Sequence, residues 1–333
     1  MRRSMDSPFP KSSSSAGRGQ IVAAFLPSGA SGLETISYQY PLKLISPSRS
    51  PESRSVLVFL LSYGGGLVGG DSVNLDIEVR ETAKLSIATQ GHTKIFTSAS
   101  PDVVTRQTLQ VRIAKEAALC LLPDPVQPFE GSVYEQTQVF RLAKDASLCL
   151  LDWVTQGRTA RGENWSFVRW LGRNEVWAAA HEAEAKDRLL VRDTVILDGR
   201  RDEAELRSLR GTMHGMGLFG TLILRGPLMK ALGDFFLAEF AALPRLGAKG
   251  FHSDDATSSQ NGTPSPLEEW RLGRLQMEME EKLLWSAANV RGCVVVKFGA
   301  PAVEAGRRWL GSMLVQEGSI SHHFGDHALI CVQ

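Results

Sequence analysis

Between about Leu33 and Leu224 apolar and polar positions alternate over short runs, separated by Gly, Pro, Asn and Asp. In Val73-Asn74-Leu75-Asp76-Ile77-Glu78-Val79-Arg80 the odd positions are apolar and the even ones polar. A period of two sends successive side chains to opposite faces, so this run predicts a strand with one buried face. The same reading, with β-branched and aromatic enrichment, predicts strands over 56–61, 84–89, 105–113, 118–122, 133–142, 147–155, 165–171, 175–180, 189–197 and 221–224.

A weak internal repeat runs through these strands. Lys115-Glu116-Ala117-Ala118-Leu119-Cys120-Leu121-Leu122 matches Lys144-Asp145-Ala146-Ser147-Leu148-Cys149-Leu150-Leu151, and Glu81-Thr82-Ala83-Lys84-Leu85-Ser86-Ile87-Ala88 is a looser copy. A period of about thirty residues is characteristic of stacked repeats in which each copy buries its apolar face against the next. The expected fold is therefore mainly β, a β-helix-like stack of sheets, with an ordinary β-sandwich as the rival. Two α-helices interrupt it. Pro227 opens one, followed at helical spacing by Leu228, Leu232, Phe235, Phe236, Phe240 and Leu243. After Pro301 comes the other, with Val303, Trp309, Leu310, Met313 and Leu314, ending near Gly318. Between them residues 246–266 are polar and rich in Gly, Ser and Pro, which predicts a disordered insertion, because the strand at 293–298 resumes the β pattern after it. Residues 1–32 are expected to be a disordered tail and 33–333 a single domain.

The stretch YGGGLVGGD (63–71) formally contains G-x-G-x-x-G. Dinucleotide binding needs those glycines to open a helix whose N-terminus receives the pyrophosphate. Here a strand pattern follows, and no Gly-Lys-Ser or Gly-Lys-Thr supplies a phosphate loop. The glycines are expected to serve a turn in which positive φ or close backbone approach excludes a Cβ.

Composition narrows the classes further. The 333 residues are 43% hydrophobic, enough for a sizeable core, and Lys+Arg 37 against Asp+Glu 36 leaves a net charge of +1. No basic block is interleaved with aromatics, so nucleic acid is not an expected partner. Cys120, Cys149, Cys293 and Cys331 lie far apart without a C-x-x-C pair, which predicts buried thiols in a reducing compartment. The basic, Ser-rich start lacks the apolar segment of a secretory signal, and no run approaches eighteen apolar residues, so neither secretion nor a membrane span is expected.

Candidate chemistry is sparse. His322, His323 and His327 cluster near the C-terminus, but Gly325 and a following strand pattern break any shared helical face and favour a solvated turn. His92 stands alone, and no G-x-S-x-G elbow occurs. The segment from Asp152 to Trp165 concentrates Asp152, Arg158, Arg161 and Glu163 between buried-strand patterns. It reads either as an ion-paired turn or as a polar conduit or docking patch.

Taken together, six segments resemble one family, the urease accessory protein UreD, also called UreH. They are YPLKL (40–44), GGGLVGGD (64–71), TQGHTKIF (89–96), PDPVQPFEGSVYEQTQVFRL (123–142), LDWVTQGRTARGENW (151–165) and VRGCVVVKFGAP (290–301). The resemblance implies a β-helix-like fold with two helices and a cytoplasmic maturation factor that is not an enzyme. Such a factor binds the urease apoprotein, joins UreF and the GTPase UreG, and helps place nickel in the urease active site, with an internal tunnel as the nickel path. It implies no tightly bound cofactor, only transient nickel. A carrier that hands nickel onward should avoid a His/Cys cage and offer scattered oxygens. On that ground Asp71, Asp152 and Glu163 are expected to make transient nickel contacts. Gly64, Gly65, Gly66, Gly69, Gly70, Gln90, Thr93, Lys94, Phe129, Arg158 and Arg161 fall in the matched motifs and are expected to shape turns or meet a partner. Two alternatives stand beside this reading: a β-stacked polysaccharide-cleaving enzyme and a purely structural adaptor.

Overall fold

The computed structural model describes residues 15–48, 53–180, 186–199, 208–243 and 265–333. Its strands are β1 (Arg18–Leu26), β2 (Ala30–Tyr38), β3 (Leu42–Ile45), β4 (Val56–Ser62), β5 (Gly66–Leu67), β6 (Ser72–Val79), β7 (Lys84–Ala88), β8 (Thr93–Ile95), β9 (Thr105–Ile113), β10 (Ala118–Leu121), β11 (Val126–Pro128), β12 (Val133–Leu142), β13 (Ser147–Thr155), β14 (Arg169–Ala178), β15 (Arg188–Asp198), β16 (Leu218–Arg225), β17 (Leu284–Val290) and β18 (Cys293–Ala300). The helices are α1 (Leu209–Thr212), α2 (Lys230–Ala241), α3 (Pro266–Glu280), α4 (Val303–Glu317) and α5 (Ser319–Phe324). None is long and apolar enough to cross a membrane.

The chain coils. One sheet runs β15-β14-β12-β9-β6-β1-β2, the other β17-β18-β16-β13-β10-β7-β4-β3, and the short strands β5, β8 and β11 pair side by side to make a narrow third wall. Each circuit visits the walls in turn, so β6, β9, β12 and β14 are parallel neighbours in one sheet, while β4, β7, β10 and β13 are parallel neighbours in the other. The repeat is this circuit. Cys120 lies opposite Cys149 and Leu121 opposite Ile87. Thr82, Glu116 and Asp145 occupy the same place in successive copies, and each adopts the left-handed conformation, with φ of 61°, 59° and 59°. That conformation turns the chain sharply from one sheet to the other. Ala118 N then bonds Ala83 O and Ser147 N bonds Ala117 O, both at 2.9 Å, which locks each corner onto the one before.

The sheets differ in their outer environment, and the sequence pattern follows. β6 alternates exposed and buried because its outer face meets solvent. β13 is buried at every position: Leu148, Leu150 and Val154 face the inter-sheet core, while Cys149, Leu151 and Trp153 pack in a second core with α2 and α4.

Several expectations need correction. Residues 18–32 do not belong to a tail, because β1 and the start of β2 occupy them; Ile21 and Ala23 are fully buried, and the small alanines had muted the apolar contrast. The expected insertion at 246–266 falls outside the described residues except for Ser265 and Pro266, which open α3. Among the described residues there are five α-helices rather than two. α3 escaped detection because its periodicity is inverted. The side chains it buries are Arg274 and Glu278, while Leu272 and Met279 are 62% and 74% exposed. Glu239 on α2 receives Arg274 at 3.1 Å, and Arg274 meets Glu278 at 2.6 Å, so buried charge pairing seats this helix together with Trp270 and Met277, which pack against the second core. The segments at 165–171 and 175–180 are not separate strands: the end of the first, the start of the second and the residues between form one strand, β14. The histidine-bearing C-terminus is α5 followed by a short 3₁₀ turn, with no strand after it.

Candidate functional site

The inter-sheet core is apolar along most of its length, but one layer of it is not. In the first sheet Gln138, Asn174 and Asp193 are register partners on β12, β14 and β15. Facing them in the other sheet, Asp152, Thr221 and Lys297 are register partners on β13, β16 and β18. All sit at inward positions, next along their strands to residues of the apolar core such as Phe140, Leu150, Val154, Val176, Val191 and Ile223.

Hydrogen bonds join the rows. Asp152 accepts from Gln136 Nε2 at 2.9 Å and from Asn174 Nδ2 at 2.7 Å. Gln138 Nε2 donates to Asn174 Oδ1 at 3.0 Å, and Tyr134 Oη donates to Gln136 Oε1 at 3.2 Å. Asp193 accepts from Lys297 Nζ at 2.7 Å and from Thr221 Oγ1 at 3.2 Å. Asp152 is buried, and among the described residues no cation is bonded to it. Burial therefore lifts its pKa above the ordinary carboxylate value, against the opposing pull of the Asn174 and Gln136 bonds. The Tyr134 hydroxyl is pushed well up for the same reason, with the nearby Asp152 charge adding to it.

A cavity of about 30 Å³ adjoins this layer, lined in part by Gln136, Gln138, Asp152, Gln107, Thr93 and Asp124, and it has room for a water-sized occupant. At its far side Asp124 is held by Gly91 N at 2.8 Å, Thr89 Oγ1 at 3.1 Å and an Arg307 guanidinium nitrogen at 2.8 Å. A line of polar side chains thus runs from Lys297 and Asp193, past Asp152, to Thr93 and Asp124.

The expected nickel contacts do not converge. Asp71 closes its own turn, accepting from Val68 N at 2.8 Å through Oδ2. Glu163 is consumed by Arg158. Its Oε2 accepts the Arg158 backbone N–H at 2.7 Å and its Oε1 accepts Nε at 2.8 Å, with a second guanidinium nitrogen on the same oxygen. Burial would raise the Glu163 pKa, but these bonds outweigh it and hold the carboxyl below its ordinary value. The Arg158 guanidinium lies 3.8 Å from the centre of the Phe129 ring, and Phe129 meets Phe96 edge-on at 5.1 Å. This end of the segment is the ion-paired turn, whereas Asp152 belongs to the polar layer. Among the described residues no three His, Cys, Asp or Glu side chains are grouped to hold a metal ion.

The motif residues instead gather on the third wall. Gly66 pairs with Lys94, and Lys94 with Gln127, across β5, β8 and β11. A Cβ on Gly66 would stand 2.5 Å from the Phe96 ring and 2.8 Å from Lys94 O, so glycine is required there by close approach. A Cβ on Gly69 would stand 3.0 Å from Ser98 Cα. Gly64, Gly65 and Gly70 have φ of 72°, 76° and 90° and form the bends between. No helix follows the glycines; β6 does. Gln90, Lys94 and Arg161 are exposed, while Thr93 turns partly inward to line the cavity.

At the opposite corner the histidines are engaged with neighbours. His327 Nε2 lies 3.0 Å from Ser55 Oγ, and Arg54 reaches both the ring and the carbonyl of His322. Lys84 Nζ donates to His323 O at 3.2 Å. Cations at the C-terminal carbonyls of α5 complement its dipole and leave the rings a poor place for another cation.

Sequence reasoning missed Gln136, Gln138, Asn174, Asp193, Thr221, Lys297 and Asp124. The signal was present for the first two: β12 carries glutamine at inward positions between Tyr134 and Phe140, where strand parity calls for apolar side chains.

Comparison with known proteins places these features in context. The profile described as "UreD urease accessory protein" matches residues 16–327. A ureD-like urease accessory protein of Schizosaccharomyces pombe is 33% identical over 287 residues, covering 86% of this chain and 89% of its own. A urease accessory protein UreD of Sorangium cellulosum is 34% identical over 223 residues, 67% of this chain and 66% of its own. Urease accessory protein D of Arabidopsis thaliana is 34% identical over 196 residues, covering 58% of this chain and 63% of its own.

Proposed function

The chain belongs to the UreD family of urease accessory proteins, and from that premise we propose that it is a cytoplasmic maturation factor and not an enzyme. It binds the urease apoprotein together with UreF and the GTPase UreG, and passes nickel to the urease active site along the polar layer between its sheets. The observation that carries this reading is the row of Asp152, Asn174, Gln136 and Gln138 set inside an otherwise apolar core and opening on a cavity. Burying hydrogen-bonding groups costs stability relative to apolar packing, so a layer of this kind is explained by transport more readily than by folding. Its donors suit transit. Carboxylate and amide oxygens hold nickel weakly compared with imidazole or thiolate, and weak successive sites let the ion leave.

The glycine-shaped third wall, with exposed Gln90, Lys94 and Arg161, is the proposed partner surface. The adaptor reading draws on a separate observation: Asp71 and Glu163 are spent on their own turn and ion pair. The two readings part on one measurement. In cells deleted for this protein and complemented with Asp152→Asn, a route predicts urease that co-purifies normally with the variant but contains little nickel. Full nickel loading by a folded Asp152→Asn protein would leave only the adaptor.

A further inference from the structure

Each end of the polar layer is closed by a carboxylate paired with a protein cation, but the closures are built differently. At one end Asp124 receives Gly91 N, Thr89 Oγ1 and Arg307, so a main-chain donor, a hydroxyl and a planar guanidinium fix it. At the other, Asp193 is held among the described residues by two side chains, Lys297 Nζ at 2.7 Å and Thr221 Oγ1 at 3.2 Å. Lys297 is 37% exposed and Asp193 14%, which puts the ammonium at the boundary between layer and solvent. An ammonium on a flexible four-carbon stem exchanges partners readily, whereas a guanidinium in a hydrogen-bonded fork does not.

Register ties Lys297 to the interior. Asp152, Thr221 and Lys297 are successive neighbours across one sheet, and Asn174 and Asp193 across the other. The ammonium therefore occupies a position made for a positive charge, next to a hydroxyl and one step from the buried Asp152. A mobile cation needs that same carboxylate, because the amides around Asp152 offer it no net charge.

We propose that Lys297 is a tethered counter-cation closing one end of the inter-sheet layer, and that a divalent cation enters or leaves there by displacing its ammonium from Asp193. This rests on the reading of the layer as a nickel route and supplies its gate. The protein's own ammonium balances Asp193 when the layer is empty, prevents Asp193 from retaining metal, and makes the Lys297 end the labile one.

Titration of nickel chloride into the full-length chain by calorimetry tests it. Lys297→Met and Lys297→Gln should each bind nickel about tenfold more tightly than the unmodified protein, equivalent to about 1.4 kcal/mol. Adding Asp193→Asn should abolish that gain. In the unmodified protein, saturating nickel should raise the acetylation of Lys297 by acetic anhydride, read by mass spectrometry, and leave that of exposed Lys94 unchanged; this decides the matter if the variants do not fold. Unaltered nickel affinity in both folded variants, a gain that survives Asp193→Asn, or no rise in Lys297 acetylation would each overturn the gate. Loss of nickel loading in Asp152→Asn alongside any of these leaves the route standing without its gate, while normal loading in Asp152→Asn removes the route itself.

Discussion

Asn174 reaches across the interior to Asp152: its side-chain amide donates to Oδ2 at 2.7 Å and so joins a strand of one sheet to a strand of the other. With Gln136 on the second oxygen, both carboxylate oxygens have amide partners, and no cation among the described residues bonds to them. Removing one partner strands a buried charge. Asn174→Ala should therefore lower unfolding free energy by about 1–3 kcal/mol in chemical denaturation. Asp152→Asn should cost less, since a neutral amide is easier to bury than a carboxylate.

Glu163 should impose a pH dependence on stability. Its folded pKa lies below the unfolded value, so its contribution is complete above the unfolded pKa and disappears as pH falls through the folded one. Thermal midpoints measured over the acidic range should fall more steeply for the unmodified chain than for Glu163→Gln, which lacks the titrating group and is less stable near neutrality.

The glycine run contains two different requirements that substitution should separate. Gly66→Ala forces a Cβ against Lys94 O and the Phe96 ring, and should cost about 1–3 kcal/mol through overpacking. Gly64→Ala meets open space at φ 72° and should cost only about 1 kcal/mol, the strain of the left-handed backbone. Equal losses in urea titrations of the two variants would contradict that division.

Helix α3 is seated by Arg274 between Glu239 and Glu278, with Trp285 and Trp309 each donating to Glu278 Oε1 at 2.9 Å. Breaking a buried pair by removing one member leaves uncompensated charge, so Arg274→Met should cost about 3–5 kcal/mol. Hydrogen exchange should show the loss of protection centred on α3 and the end of α2.

The thiols should be silent in the native protein. Burial pushes Cys293 up to about 11, and Cys331 likewise to about 11 with Asp124 adding to it; Cys120 is also raised by burial and by Cys149. A thiol-specific chromogenic reagent at mildly alkaline pH should react only as the chain unfolds. Rapid reaction of folded protein would mean that the cores open more readily than their packing suggests.

What the amino-acid order determined by itself was the coil. Period-two alternation, the stacked Ala-x-Leu-Cys-Leu corners and the glycine wall are local properties, legible because a strand's side-chain direction and a turn's backbone freedom depend on residues close in the chain. The ion-paired turn of Arg158 and Glu163 was legible for the same reason, since its members lie within one loop. Only the tertiary structure decided that Asp152 meets Asn174, that Lys297 covers Asp193, and that Asp71 and Glu163 stand apart from both. Those relationships join residues on different walls of the coil, where distance along the chain says nothing about distance in space. The same holds for α3, whose polar inner face makes sense only once Glu239 is placed beneath it.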